Sequence, residues 1–165
     1  MIPKTAEYAL RAAVVLARHF KDACSAAEIA KSTLVPRRYL HRVLQALVRA
    51  GLIRSQPGPG GGYALVRPPH EITILAVVSA VEAIPRIQHC PLGLKSHTNL
   101  CPLHRELDEA CAATERAFRR VTLAGLLNKS ADIPPLCEIE LSAGDGSTAT
   151  RKNIRQRTRK QAAAS

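Results

Sequence analysis

The stretch CPLGLKSHTNLCPLH, residues 90–104, holds two cysteines and two histidines. Cys90, His97, Cys101 and His104 follow the spacings Cys-x6-His, His-x3-Cys and Cys-x2-His. Thiolates are soft ligands and imidazoles borderline ones, so this set suits zinc or an iron–sulfur cluster. Unliganded thiols in a loop are the alternative, because no complete four-ligand pattern is present. Cys111 stands seven residues past His104. On a helix that is roughly 10 Å along the axis, too far for one small site. Cys24 and Cys137 are isolated in sequence and read as structural or incidental. Five cysteines make an odd count, in a chain whose N-terminus lacks the apolar run and cleavage site of a secretory signal. In a reducing compartment they are thiols, metal ligands or redox groups rather than structural disulfides.

A second group of residues is chemically suited to nucleic acid. Arg37, Arg38, His41, Arg42, Gln45 and Arg49, with Tyr39 among them, punctuate an apolar stripe formed by Leu40, Val43, Leu44, Leu47 and Val48. The stripe recurs at i, i+3, i+4, i+7 and i+8, so the segment is a helix with one core-facing side. Arg38, Arg42, Gln45 and Arg49 step by 4, 3 and 4 residues and share the other side. Arginine and glutamine reach base edges in the major groove, and arginine also holds phosphate. An ordinary solvated helix face is the competing explanation, but no Asp or Glu stands among these positions to form i,i+4 pairs.

The elements that must position these residues follow from caps and punctuation. Residues 5–20 read as an amphipathic helix with Tyr8, Leu10, Val14, Val15 and Leu16 on its apolar face. SAAE, residues 25–28, is a capping box that starts a short second helix ending near Lys31-Ser32. After the turn STLV, Pro36 is placed as the first residue of the basic helix, and Gly51 closes it. Two helices joined by a short turn, the second rich in arginine, make a helix-turn-helix. LIRSQ (52–56) and YALVR (63–67) then flank the Pro/Gly run PGPGGG as a hairpin. A helix-turn-helix followed by a hairpin is a winged helix. Gly60, Gly61 and Gly62 would let its tip approach a DNA backbone, with Arg54 on the hairpin, and leave backbone N–H groups for phosphate oxygens. Further on, Thr73 caps an apolar helix over 74–84 that reads as buried and stops at Pro85. A long helix follows from about 102 to 127, with Leu103, Leu107, Ala110, Cys111, Thr114, Ala117, Phe118 and Val121 at three- and four-residue steps. That seam suits either a two-fold dimer or an intramolecular core face.

The run YLHRVLQALVRAGLIRSQPGPGGGYALVRPPHEIT (39–73), with KTAEYALRA (4–12) and SAAEIA (25–30), resembles the IscR/NsrR-type (Rrf family) winged-helix transcription regulators. The resemblance covers about residues 1–130. It implies a dimeric DNA-binding regulator, often with an iron–sulfur cluster held in a loop ahead of a long dimerisation helix. By this resemblance Cys90 sits at the first ligand cysteine, and Cys101 with His104 at the last ligand cysteine and the histidine three residues on. The middle cysteine is missing, with Ser96 and His97 in its neighbourhood. The fourth ligand is then His97, or Glu7 supplied by the partner subunit, since some resembling regulators use an acidic residue just before the YALR run. The wing also departs from the pattern, with Pro57 where a basic residue often precedes the glycines.

Composition and charge agree with this plan. The chain has 165 residues, 46% hydrophobic but only 3% aromatic, which favours packed helices of Leu, Ile, Val and Ala. Residues 1–70 carry 11 Lys/Arg against 3 Asp/Glu, residues 71–145 carry 7 against 10, and residues 146–165 carry 6 against none. A basic lobe and a basic tail flanking a mildly acidic middle attract a polyanion through phosphate contacts. No run of 18 apolar residues is present, so no membrane span and a cytoplasmic location are expected. No nucleophile–base pair, phosphate loop or paired carboxylate suggests an enzyme.

The reading is therefore a mainly α fold with a small β-hairpin wing, a winged helix-turn-helix plus a long C-terminal dimerisation helix. Its parts are a DNA-binding domain (1–84), a Cys/His sensor loop (85–101), a dimerisation helix (102–130) and a disordered basic tail (138–165). The partners are double-stranded DNA and a second copy. The cofactor is a [2Fe–2S] cluster, with zinc or no cofactor as alternatives, and the signal is redox, nitric oxide or iron–sulfur status. A zinc-binding or thiol-based redox or metal-transfer protein that docks an acidic protein partner is the competing function, and it gives no reason for the wing.

Overall fold

Ser25 starts the second helix as the capping box predicts. Its hydroxyl accepts the Glu28 N–H (3.2 Å), and the Glu28 carboxylate accepts the Ser25 N–H (2.7 Å). Hydrogen bonding to Ser25, through its side chain first and its backbone N–H second, holds the Glu28 pKa below the ordinary glutamate value. The computed structural model describes residues 2–93 and 99–128. His97, Cys137 and the tail 138–165 lie outside the described residues.

The order is α1 (Lys4–Arg18), α2 (Ala26–Thr33), α3 (Arg37–Arg49), β1 (Ile53–Gln56), β2 (Gly62–Leu65), α4 (Ile74–Val81), α5 (Pro102–Arg120) and α6 (Leu123–Leu127). α2 and α3 are joined through Leu34, whose φ of 55° ends α2 in the left-handed region. Pro36 serves as the N-cap of α3 rather than its first residue. At the other end of α3, Gly51 (φ 68°) permits a Schellman closure. Its N–H reaches the Val48 carbonyl (2.9 Å), and the Leu52 N–H reaches Leu47 (3.1 Å). β1 and β2 pair antiparallel, from Ile53 opposite Leu65 to Gln56 opposite Gly62. α1 packs against α2, α3, α4, α6 and β2, so it forms the centre of the core. Leu16, Ile29, Leu40, Leu44, Leu47, Leu65, Ile72, Val77 and Leu123 are its large, fully buried side chains. Among the described residues no helix is long and apolar enough to cross a membrane.

Three local expectations are corrected. The apolar helix expected over 74–84 ends at Val81, with Glu82 already extended (φ −159°, ψ 113°) three residues ahead of Pro85. It is also buried on one side only, at Val77 and Val78. The helix expected to run to 127 breaks after Arg120. Val121 and Thr122 are extended there, and they pair with the segment before α4. The Ile74 N–H donates to the Val121 carbonyl (2.9 Å) and the Leu123 N–H to the Ile72 carbonyl (2.9 Å). The Thr122 hydroxyl then caps α6 by accepting the Gly125 N–H (3.0 Å).

Candidate DNA-binding face and metal centre

α3 divides its side chains sharply. Leu40, Val43, Leu44 and Leu47 are buried, whereas Arg37, Arg38, Tyr39, His41, Arg42, Gln45 and Arg49 are all exposed. Among the described residues none of the four arginines takes part in an ion pair. The Arg38 guanidinium lies 4.7 Å from the centre of the Tyr39 ring. That ring in turn stands 6.0 Å from the ring of Tyr8 on α1, tilted by 46°. Arg38 is thus oriented by an aromatic pair at no cost to its charge.

The wing begins where α3 closes. Arg54 on β1 is exposed, and its guanidinium reaches the Leu65 carbonyl (3.5 Å). The glycines of the loop fall into two kinds. Gly58 and Gly60 have positive φ (97° and 72°) and open space around them. Gly61 and Gly62 are required by the protein itself. A Cβ on Gly61 would stand 2.2 Å from the Gln56 carbonyl oxygen, and one on Gly62 2.3 Å from that of Cys24. The close approach at Gly62 exists because Tyr63 and Cys24 exchange two backbone hydrogen bonds (2.9 and 2.8 Å), which seats the wing on the residues before α2. Sequence reasoning assigned these two glycines to DNA approach. The internal contact was invisible to it, because Cys24 and Tyr63 are far apart in the chain and bond only through backbone.

The Cys/His residues are brought together at the start of α5. Cys101 is its N-cap, Pro102 fixes the first helical φ, and the Arg105 N–H returns to the Cys101 carbonyl (3.0 Å). His104 follows within the first turn. Cys90 arrives from the other side, at the head of a turn closed by the Gly93 N–H on its carbonyl (3.2 Å). His104 Nδ1 lies 3.2 Å from the Cys101 Sγ and 3.5 Å from the Cys90 Sγ, and one ligand atom from each residue falls within 4.8 Å of the other two. All three are half-buried. This donor set fits a thiophilic metal. Tetrahedral coordination at about 2.0–2.3 Å spaces neighbouring ligand atoms by roughly 3.5 Å, and the set supplies three of the four ligands such a centre takes.

The remaining candidates stand elsewhere. Glu7 is paired with Arg11 on the same helix, and Arg11 also donates to the Thr33 carbonyl (3.2 Å). Within one chain Glu7 is not part of the Cys/His group. Cys111 is half-buried and lines an apolar groove of about 460 Å3 with Ile2, Val78, Ile84 and Phe118, apart from that group. Cys24 is buried, and burial, then the carboxylates of Glu28 and Asp22, push its thiol pKa up. That makes it a poor nucleophile and an inert part of the core.

The family model described as Rrf2, iron-dependent transcriptional regulator, matches residues 2–129. The chain belongs to the Rrf2 family. The HTH-type transcriptional regulator NsrR of Halalkalibacterium halodurans is 30% identical over 141 residues, which is 81% of this chain and 94% of that one. The HTH-type transcriptional regulator IscR of Cereibacter sphaeroides is 37% identical over 89 residues, 52% of this chain and 57% of its own length. Among solved structures, CymR (YrzC), the global cysteine regulator of B. subtilis, aligns with a TM-score of 0.64 at 26% identity, covering 76% of this chain and 95% of that one. T. potens IscR shares the fold, with a TM-score of 0.66 at 23% identity over 79% of this chain and 88% of its own. This Rrf2 protein is accordingly a DNA-binding transcriptional regulator with a winged helix, and its relatives are regulators rather than enzymes.

In this Rrf2 chain, two residues close to the Cys/His group escaped the sequence reading altogether. Arg86 and Asp108 form a forked ion pair between the segment before Cys90 and α5. They are 22 residues apart, and neither belongs to a repeating pattern, so no sequence signal joined them.

Proposed function

We propose that this Rrf2 protein is a homodimer that reads duplex DNA with α3 and the wing, under control of a cofactor held by Cys90, Cys101 and His104. The observation that carries the reading is the convergence of those three side chains within 4.8 Å at the head of α5. Arg38 and Arg42 are assigned to base edges, because they lie in the N-terminal half of α3, which enters the groove in helix-turn-helix proteins. Arg37, His41, Gln45 and Arg49 flank them, and Arg54 with Gly60 approaches the backbone beside the groove. The cofactor is assigned as a [2Fe–2S] cluster, with His97 or the partner subunit's Glu7 as the fourth ligand. When bound, such a cluster supplies a centre that responds to oxidants and nitric oxide. The chain's own part is to hold two thiols against one imidazole, with Cys101 and His104 at the start of α5, the helix proposed to join two copies, and Cys90 brought to them from the segment after α4. A second reading is favoured by one observation, the short spacing of 3.2 and 3.5 Å from both sulfurs to a single ring nitrogen. That spacing suits three ligands on one tetrahedral ion such as zinc.

The test is anaerobic purification and reconstitution of the full chain, with iron, sulfide and zinc counts and visible spectra. The same is done for Cys90→Ala, Cys101→Ala, His104→Ala, His97→Ala and Glu7→Ala, and loaded and stripped parent are compared for DNA affinity. The expected result is iron with sulfide in the parent, lost in the Cys90→Ala and Cys101→Ala proteins. Stoichiometric zinc without iron would favour the second reading. A full cofactor complement in both cysteine variants would overturn the site.

A further inference from the structure

Cys90 is not fixed by the Cys/His group alone, because it enters from a different segment than Cys101 and His104. The chain that delivers it runs from the end of α4 across the side of α5. On α5, Asp108 stands four residues past His104, one turn further along the same helix. Its two carboxylate oxygens accept the Arg86 Nε and Nη2 (2.7 Å each), and Oδ1 also accepts the Ile87 N–H (2.8 Å). Arg86 Nη1 reaches Glu115 (3.4 Å), which Arg119 holds in turn (2.6 Å). One carboxylate therefore grips a charged side chain and a backbone N–H of the segment that ends at Cys90. Three residues span at most about 10 Å, so a fixed Ile87 confines Cys90 to the neighbourhood of the helix start. The grip is of the strong kind, forked and charge-assisted. The Arg86 guanidinium and the Ile87 N–H hold the Asp108 carboxyl at about 2, so it is ionised throughout the neutral range.

We propose that Asp108, acting through Arg86 and Ile87, is the positioning residue that sets the Cys90 thiol against Cys101 and His104. Its consequence for cofactor binding rests on the metal reading above, whereas the geometry can be tested without any metal. The clamp lies outside the main buried cluster, so breaking it leaves the winged helix folded.

The experiment uses the full chain, reduced and metal-free, equilibrated in glutathione redox buffer. The Cys90 and Cys101 thiols lose two protons and two electrons to oxidised glutathione, which leaves as two reduced molecules. Peptide mapping then gives the effective molarity of the Cys90–Cys101 pair. For Asp108→Asn and for Arg86→Gln it is expected to fall roughly tenfold or more. The double variant should lose no more than the worse single one, since both break one clamp. Titration with Co2+, followed by thiolate charge-transfer absorption, should show affinity weakened roughly 10–100-fold in the same variants. Arg86→Gln, which keeps the Asp108 bond to Ile87, is the milder variant should Asp108→Asn fold poorly. An effective molarity equal to the parent's in folded Asp108→Asn or Arg86→Gln overturns the proposal. A parent that forms the disulfide more readily than both variants yet takes up no Co2+ supports the clamp and overturns the metal reading instead.

Discussion

At Gly62 a single added methyl group would meet backbone, since its nearest neighbours are the Cys24 carbonyl and the Ser25 nitrogen. Backbone held by two hydrogen bonds cannot give way as a flexible side chain can. Gly62→Ala is expected to cost about 1–3 kcal/mol, as overpacking does, and to unseat the wing. A calorimetric melting temperature equal to the parent's would refute this. A second residue-scale outcome concerns Asp108, whose carboxyl is lowered from its ordinary value of 3.8 to about 2 by Arg86 first and the Ile87 N–H second. A depressed carboxyl stabilises the fold above its unfolded pKa and loses that contribution as pH falls through its folded one. The stability difference between parent and Asp108→Asn should therefore be constant from roughly pH 5 to 8 and shrink between about 3.8 and 2. A difference that changes across the neutral range would contradict the pairing. Residues that act on close neighbours were legible in the sequence, as Ser25 with Glu28 shows. Those that act on distant backbone or across elements were not, as Gly62 with Cys24 and Asp108 with Arg86 show.

α5 is the element whose surroundings are least complete in one chain. Ala112 is its only buried residue. Leu103, Leu107, Ala110, Thr114 and Ala117, at steps of 4, 3, 4 and 3, are all exposed, with Leu103 at 63% and Leu107 at 48%. A heptad stripe left open in this way is the candidate seam of the proposed homodimer. On that proposal the parent sediments as a dimer, and Leu107→Arg is expected to shift it toward monomer in sedimentation equilibrium and to weaken DNA binding, because one half-site is then held alone. Equal masses for parent and variant would contradict the seam. The same periodicity was readable from the sequence, but Cys111 and Phe118 are half-buried and line the groove beside α4, whose outer edge Ala110 and Thr114 of the stripe also form. The break after Arg120 was not readable. Thr122 resembles any polar helix residue until the Ile72 and Ile74 backbone groups are found beside it. α3, by contrast, was legible almost to the residue, because stripe and closing glycine agree there and only Pro36 shifts, from first residue to N-cap.

Across the whole molecule the charge is uneven. Residues 146–165, outside the described residues, hold six Lys/Arg and no Asp/Glu. Removing them is expected to leave melting unchanged and to flatten the salt dependence of DNA binding. The log–log slope should fall by about 0.9 for each phosphate that the shortened chain no longer neutralises. A large fall in melting temperature would mean that this segment packs on the core.

The proposed reading of duplex DNA by two copies of α3, through Arg38 and Arg42, is tested most plainly by selection from a random-sequence duplex pool with the purified full chain. The expected result is enrichment of an inverted repeat whose half-sites lie about one helical turn, 10–10.5 base pairs, or a multiple of it apart. Arg38→Ala and Arg42→Ala should each lose about 1–3 kcal/mol on the enriched site and relax the sequence at their own positions. No enriched motif from the parent, or the same motif bound with undiminished affinity by both variants, would contradict this mode of reading.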